Sequence, residues 1–256
     1  MLWRFPSRVS LIFAIATTIA SLSTRGYAAR PCELIAPQGQ PDQTAVWSGT
    51  CEKGLAQGVG VAQWSSGRRY EGEVRDGKID GDGTEIFVSG GRYDGEFRDG
   101  LRNGRGVYIY ADGDRYEGEW RNGKAEGHGF KVYASGNRYD GAFHDGHYNG
   151  QGVFTWADGD RYEGSFVNDA PNGHGVFIWR AGDRYEGDFR AGKRTGHGVA
   201  IFVNGARYDG QWRDGKPNGS GVYLIGRDRF SGNWIDGCFK DGSRRAFVAV
   251  AAAACR

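Results

Sequence analysis

The sequence repeats every 23 residues over most of its length, and this period restricts the possible folds more than any other feature. Each copy opens with an aromatic residue, an acidic residue and a glycine. In the seven copies that match most closely, this marker starts at Tyr70, Tyr93, Tyr116, Tyr139, Tyr162, Tyr185 and Tyr208. A Gly-x-Gly triplet follows in phase, in eight copies between residues 58 and 221. A strict period of this length indicates a repeat protein in which each unit packs against its neighbours.

The copy that starts at Tyr116 indicates what each unit forms. Tyr116, Gly118 and Trp120 share one parity and the carboxylates between them share the other, so a strand here has an aromatic face and a charged face. An Asn-Gly pair then predicts a tight turn, and a second strand follows the Gly-x-Gly triplet. No helical periodicity appears between residues 47 and 241. The sequence therefore predicts an all-β fold, an elongated, twisted antiparallel meander of stacked β-hairpins in a single layer.

Equivalent aromatic residues of successive copies should form rows along one face of such a sheet. Twist and curvature would make one side of the sheet concave. We therefore expect an aromatic groove that binds a ligand or partner. Its candidate lining residues are Trp120, Phe143, Phe166, Phe189, Trp212, Tyr116, Tyr139, Tyr162 and Tyr185.

The pattern Tyr-Glu/Asp-Gly-x-Trp/Phe-x-x-Gly-x-x-x-Gly-x-Gly, as in Tyr116 to Gly129, resembles the MORN repeat (membrane occupation and recognition nexus). The resemblance covers about residues 47–241, in about eight repeats, and implies a twisted stack of hairpins with an aromatic-lined groove. Some MORN arrays accompany a kinase or methyltransferase domain. The segments left here, 29–46 and 242–256, are too short for a catalytic domain, so we expect a protein that is not an enzyme and needs no cofactor.

The first 28 residues have the order of a secretory signal peptide. Arg4 and Arg8 precede the uncharged apolar run Val9 to Leu22, and small residues flank a cleavage site before Ala29. The alternative is an uncleaved membrane anchor, although the run is shorter than the roughly 20 residues that span a bilayer. We therefore predict an exported protein, periplasmic or secreted, and the N-terminally anchored form remains the alternative.

The four cysteines agree with export, because an even number in an exported chain suggests disulfides. They lie near the two ends of the chain, at Cys32, Cys51, Cys238 and Cys255. Three pairings are possible, and we favour the local one, in which each bridge fastens one end of the array. Residues 29–46 are then an N-terminal linker or cap. Residues 242–256 form a C-terminal cap that covers the last hairpin as a short strand or helix.

Other repeated polar residues have a simpler structural explanation than a chemical site. His128, His174 and His197 occupy the centre of Gly-x-Gly triplets, and equivalent positions lie about 10 Å apart, too far to share a zinc ion. Asp112-Gly113-Asp114 has too few oxygen ligands for calcium and predicts a turn. We therefore predict no metal site and no catalytic residues.

An arginine precedes each aromatic marker and an acidic residue follows two positions later, as in Arg115 and Glu117. Because residues i and i+2 share a face of a strand, this ladder should neutralise itself, with cross-strand ion pairs. The whole chain has 33 basic and 31 acidic residues. Removing the signal segment, which contains three arginines, leaves 30 against 31. A near-neutral protein is a poor match for nucleic acid.

These observations favour two functions of different classes. The first is an interaction scaffold in the cell envelope, whose aromatic groove binds a protein, a peptide or a second copy of the chain. The second is binding of membrane lipid or envelope glycan, because aromatic rows also lie at membrane interfaces and stack on sugars. The near-neutral charge weighs against attraction to anionic lipid.

Overall fold

The computed structural model describes residues 32–35 and 44–255, and it confirms the all-β prediction. Twenty strands form one open, twisted antiparallel sheet. The described chain ends in a short 3-10 helix, Ala252–Cys255. Within these residues, no helix is long and apolar enough to cross a membrane. The predicted signal peptide, residues 1–28, and part of the predicted linker, residues 29–46, lie outside the described residues.

The central strands alternate between two lengths, seven and nine residues. The seven-residue first strands of the hairpins are β4 (Arg69–Arg75), β6 (Arg92–Arg98), β8 (Arg115–Arg121), β10 (Arg138–His144), β12 (Arg161–Val167), β14 (Arg184–Arg190) and β16 (Arg207–Arg213). The nine-residue second strands are β5 (Lys78–Ile86), β7 (Leu101–Ile109), β9 (Lys124–Val132), β11 (His147–Thr155), β13 (Ala170–Ile178) and β15 (Lys193–Ile201).

The strands at the two ends depart from these lengths. At the N-terminal end they are β1 (Ala45–Trp47), β2 (Thr50–Glu52) and β3 (Leu55–Trp64). At the C-terminal end they are β17 (Lys216–Ile225), β18 (Asp228–Ile235), β19 (Cys238–Asp241) and β20 (Arg244–Phe247). Each strand from β3 to β19 pairs with the next one along the chain, while β1 and β2 both pair with β3.

The hairpin turns have the backbone that the Asn-Gly signal predicts. Asn122 and Gly123 have φ angles of 49° and 82°, a left-handed conformation that asparagine and glycine tolerate. The amide of Gly123 donates a 2.9 Å hydrogen bond to the carbonyl of Arg102 in the preceding hairpin. Each turn therefore also fastens one repeat to the next.

The glycines of the repeat line up across the sheet and make room for a tyrosine. Gly141 pairs with Gly129 on one side and with Gly152 on the other. The ring of Tyr139 lies over this glycine row, and its hydroxyl donates a 2.9 Å hydrogen bond to the carbonyl of Ala142. A Cβ atom at Gly152 would lie 2.5 Å from the Tyr139 hydroxyl oxygen, closer than any van der Waals contact allows. The glycines are therefore required by the ring that covers them.

A continuous ladder of rings then joins the repeats. Phe143 lies edge-on to Tyr139 of its own strand at 5.2 Å between centroids, and edge-on to Tyr116 of the preceding repeat at 4.9 Å. The same pairing continues without a break from Tyr70 to Trp234. Such edge-to-face pairs contribute about 0.5–1.5 kcal/mol each beyond the area they bury. The ladder therefore makes each repeat's stability depend on both neighbours.

Two disulfides fasten the ends of the sheet in the local arrangement that the sequence favours. Cys32 is bonded to Cys51, and Cys238 is bonded to Cys255. The amide of Glu33 donates to the carbonyl of Gly54, and its carbonyl accepts from the amide of Ala56, so the segment 32–35 lies beside the start of β3. The C-terminal segment adds both a strand, β20, and the 3-10 helix that carries the last cysteine.

Substitution of Gly152 by alanine tests the contact between ring and glycine. We expect a loss of about 2–3 kcal/mol in the free energy of unfolding, because the added methyl group collides with Tyr139 in a packed core. Gly146→Ala, at a turn with open space and a positive φ, should cost only about 1 kcal/mol. Urea denaturation measures both values.

The collision also predicts that the two partners are coupled. In a Tyr139→Ala background, Gly152→Ala should cost much less than in the native chain, because the ring is gone. An equal cost in both backgrounds would show that the glycine is required for some other reason.

Candidate functional site

The nine residues proposed from sequence to line a groove lie instead in the core. The tyrosines Tyr116, Tyr139, Tyr162 and Tyr185 are at most 1% exposed, and their partners Trp120, Phe143, Phe166, Phe189 and Trp212 are at most 5% exposed. They form the ring ladder, so the groove-lining role assigned to them is wrong. Parity correctly placed them on one face, but the glycine row lets the rings fold down against the backbone, where a partner cannot reach them.

A second set of rings on the same face is partly exposed and forms what we call the aromatic strip. Its members come from the second strands of the hairpins and from the residues that follow those strands. They are Phe87, Tyr108, Tyr110, Tyr133, Phe154, Trp156, Phe177, Trp179 and Phe202. The register confirms the shared face, because Phe154 lies opposite Tyr162 and Phe177 lies opposite Tyr185.

The turns between repeats hold six members of the strip in place. The amide of Trp156 donates to the carbonyl of Asp160 at 2.9 Å, and its carbonyl accepts from Gly159 at 3.0 Å. Trp179 makes the same two bonds with Asp183 and Gly182. Because every such turn has this closed backbone geometry, one ring per repeat projects from the same place on the face.

The rings of the strip also contact one another across repeats. Trp156 lies 4.6 Å from Phe154 and 5.3 Å from Phe177, and Phe177 lies 4.5 Å from Trp179. The sequence contains a signal for this set, since the second and fourth residues after Gly-x-Gly share the parity of its glycines. The sequence does not show that these rings are exposed. Their exposure depends on which of the two aromatic rows occupies the space above the glycines.

Two arginines lie among these rings. Arg102 has its guanidinium carbon 4.4 Å from the ring centroid of Trp120 and donates a 2.9 Å hydrogen bond to the carbonyl of Gly123. Arg194 repeats the arrangement, at 4.3 Å from Trp212 and with a 2.7 Å bond to Gly215. The repeat pattern does not mark either arginine, because the equivalent position in other copies holds isoleucine, alanine, tyrosine or proline.

Other charges on this face are neutralised by local partners. Arg68 forms an ion pair with Glu85, the one buried charged residue of the described chain. Burial raises the pKa of Glu85 above its usual value, and the nearby Arg68 guanidinium offsets only part of this rise. Lys131 lies 4.4 Å from the ring centroid of Tyr133 and 3.6 Å from Asp114.

The opposite face carries the arginine ladder, and the ladder is neutralised as predicted. The ion pairs lie within one strand, between residues i and i+2, rather than across strands. They join Arg69 to Glu71, Arg92 to Asp94, Arg115 to Glu117, Arg161 to Glu163, Arg184 to Glu186 and Arg207 to Asp209. In the copy that contains Arg138, Asp140 contacts His128 at 3.2 Å. This charged face therefore offers no large field of one sign.

The histidines and the Asp-Gly-Asp segments have structural roles. His197, at the centre of a Gly-x-Gly triplet, lies 2.9 Å from Asp209 on the charged face. The side chain of Asp112 accepts a 3.0 Å hydrogen bond from the amide of Asp114, which confirms a turn. Among residues 32–35 and 44–255, no three histidine, cysteine or carboxylate side chains gather as a metal site would require.

Comparison with known proteins identifies the repeat. The sequence model of the MORN repeat matches eight consecutive segments, which together make up more than half of the chain. They are residues 48–68, 70–92, 93–115, 116–138, 139–161, 162–184, 185–207 and 208–225. No match is found among curated proteins.

Among solved structures, the similarity is distant. The Drosophila melanogaster SAS-4 TCP domain, in complex with a proline-rich motif of Ana2, has a TM-score of 0.36 and 10% identity over 78% of this chain and 97% of that chain. The Danio rerio CPAP TCP10 domain, in complex with a STIL peptide, has a TM-score of 0.38 and 13% identity over 71% and 89%. These values are too low to support a functional inference.

Titration of the core tyrosines tests their assignment to the interior. Burial raises the pKa of Tyr162 from 10.0 to about 12. A pKa raised by folding adds stability that is complete below pH 10.0 and is lost as the pH rises to about 12. We therefore expect circular dichroism to show unfolding within this window.

A Tyr162→Phe variant isolates the single residue. The difference in tyrosinate absorbance between the native chain and this variant should develop together with unfolding, as the pH rises from 10.0 to about 12, rather than with a midpoint near pH 10. A difference with its midpoint near pH 10, with the fold intact, would place Tyr162 at the surface.

Proposed function

Because the chain belongs to the MORN repeat family, we propose that it is a non-enzymatic scaffold whose aromatic strip binds a protein or peptide partner. The observation that carries the proposal is the strip itself, a row of partly exposed rings on one face of a long sheet. Aromatic residues and arginine are enriched where proteins bind one another, and a few such anchors supply most of the binding energy.

The two faces of the sheet support the choice of the aromatic one. On the charged face, each arginine is already paired with a carboxylate of its own strand in these ion pairs, so a partner would gain little by displacing them. The strip instead exposes large apolar rings that the turns hold in fixed positions, which lowers the entropy lost on binding. A peptide laid across the strands would meet one such ring in each repeat.

Membrane lipid and envelope glycan are the alternative ligands of the same strip. Tryptophan and tyrosine also lie at membrane interfaces and stack on sugars. We rank this alternative second, because the charge of the chain is close to neutral and gives little attraction to anionic lipid.

Panning a phage library of short random peptides on the immobilised protein tests the proposal. We expect enriched peptides whose affinity falls at least about thirtyfold in a Trp156→Ser/Trp179→Ser variant, the loss typical of aromatic anchors. The matched control is Ile109→Ser/Ile201→Ser, which removes two residues, each 41% exposed, from the charged face. This control should bind the same peptides as the native chain.

Two results would contradict the scaffold. Equal binding by both variants would exclude the strip as the binding surface. If no peptide is enriched and the protein sediments with anionic vesicles in a salt-sensitive manner, the lipid alternative would be favoured.

We also propose that the scaffold works outside the cytosol, in the cell envelope or as a secreted protein. A disulfide lies at each end of the described sheet, and such bonds persist in oxidising compartments. The N-terminal segment, with its basic start and apolar run, has the composition of an export signal.

The intact mass of the protein from its native compartment tests this location. We expect the mass of residues 29–256, with a gain of four hydrogen atoms when the two disulfides are reduced. A full-length chain that is already reduced would exclude export and place the scaffold in the cytosol or on a membrane tether.

A further inference from the structure

Arg194 is a partly buried cation with no ion-pair partner in the described part of the chain. It lies on the aromatic face, 5.5 Å from the ring centroid of Trp179 and 4.3 Å from that of Trp212. Burial lowers the pKa of its guanidinium. Keeping a cation in such surroundings costs free energy that an anion from outside could offset.

Arg102 is the equivalent of Arg194 four repeats earlier, and it has a carboxylate neighbour, Glu85, that Arg194 lacks. Glu85 is close enough to Arg102 for that cation to favour the ionised carboxylate. The position of Glu85, moved on by four repeats, is Phe177, which has no charge. At this position Arg102 therefore has a carboxylate, while Arg194 has an uncharged ring.

The space beside Arg194 also differs from that beside Arg102. The ring of Tyr108 lies 4.8 Å from the Arg102 guanidinium. Four repeats later the equivalent of Tyr108 is Ala200, whose small side chain leaves this space empty. A cavity of about 240 Å³ opens here, with walls that include Trp179, Asp183, Arg194, Ala200, Phe202 and Ala249.

We propose that this cavity is a subsite for an aspartate or glutamate side chain of a peptide bound along the aromatic strip. The inference rests on the proposed scaffold function and names the chemistry of its partner. The carboxylate would accept charge-assisted hydrogen bonds from Arg194, and its methylene groups would lie between Trp179 and Phe202. The cavity is smaller than a typical small-molecule site, which fits one side chain of a longer ligand.

Asp183 is the one charged wall residue that opposes an acidic ligand, and its role is structural. Its carboxylate oxygen Oδ1 accepts a 2.8 Å hydrogen bond from the amide of Val203 in the next turn. Asn137 makes the same 2.8 Å bond with Ala157, so an amide suffices at this position. Asp183→Asn should therefore keep the turn and strengthen the binding of acidic peptides.

Peptides enriched by panning on the native protein provide the probe for this subsite. We expect the enriched sequences to share an acidic residue next to aromatic or apolar ones. Changing that residue to its amide should weaken binding about tenfold, and Arg194→Gln should cost the same factor without further loss when the two changes are combined. Arg190→Gln, which removes an exposed arginine from the charged face of the same hairpin, should leave binding unchanged.

A second variant guards against a folding defect in Arg194→Gln. Ala200→Tyr restores the ring found beside Arg102 and should fill the cavity, so the preference for acid over amide should disappear while the strip still binds. Enriched peptides without a shared acidic residue, or equal losses in Arg194→Gln and Arg190→Gln, would overturn the subsite and leave the scaffold intact. If no peptide is enriched at all, the scaffold proposal fails and the subsite with it.

Discussion

The fold depends on a tyrosine ring that lies over glycines of adjacent strands. Without the glycines, a Cβ atom would occupy the place of the ring, as at Gly129 beneath Tyr116. Without the tyrosine, no side chain would cover the glycine row, and its backbone would be exposed to water. The hydroxyl completes the unit by donating to a carbonyl three residues along, 2.9 Å away for Tyr116. This one contact explains why the tyrosine and both glycines of the repeat recur together.

Edge-to-face pairing extends that contact into a ladder along the array. From Tyr93 onward, each tyrosine of the ladder meets the Phe or Trp of its own strand and that of the next hairpin, so no hairpin has a core of its own. An array built in this way is weakest at its ends, where a ring lacks one neighbour. The two disulfides lie at those ends, where loss of a neighbour costs most.

The same arrangement gives the two aromatic rows different exposure. The first aromatic row fills the space above the glycines, which leaves the second row only partly covered. On the opposite face, an arginine and an acidic residue two positions later neutralise each other on most of the first strands. Local differences among copies then give the repeated surface one distinctive place, where Ala200 replaces a ring and Arg194 has no ion-pair partner among the described residues.

The period, the alternation along strands and the Asn-Gly turns determined the all-β meander, because these depend on local backbone preferences that the sequence states directly. The local disulfides and the self-neutralising ladder were readable for the same reason, since their partners are close along the chain. The identity of the partly exposed rings could not be predicted from the sequence. Tyr162 and Phe154 are both aromatic, lie opposite each other and share a face, so parity could not tell which is buried. Only the tertiary structure decided this, because two rings compete for the one space above the glycines, and the tyrosine occupies it.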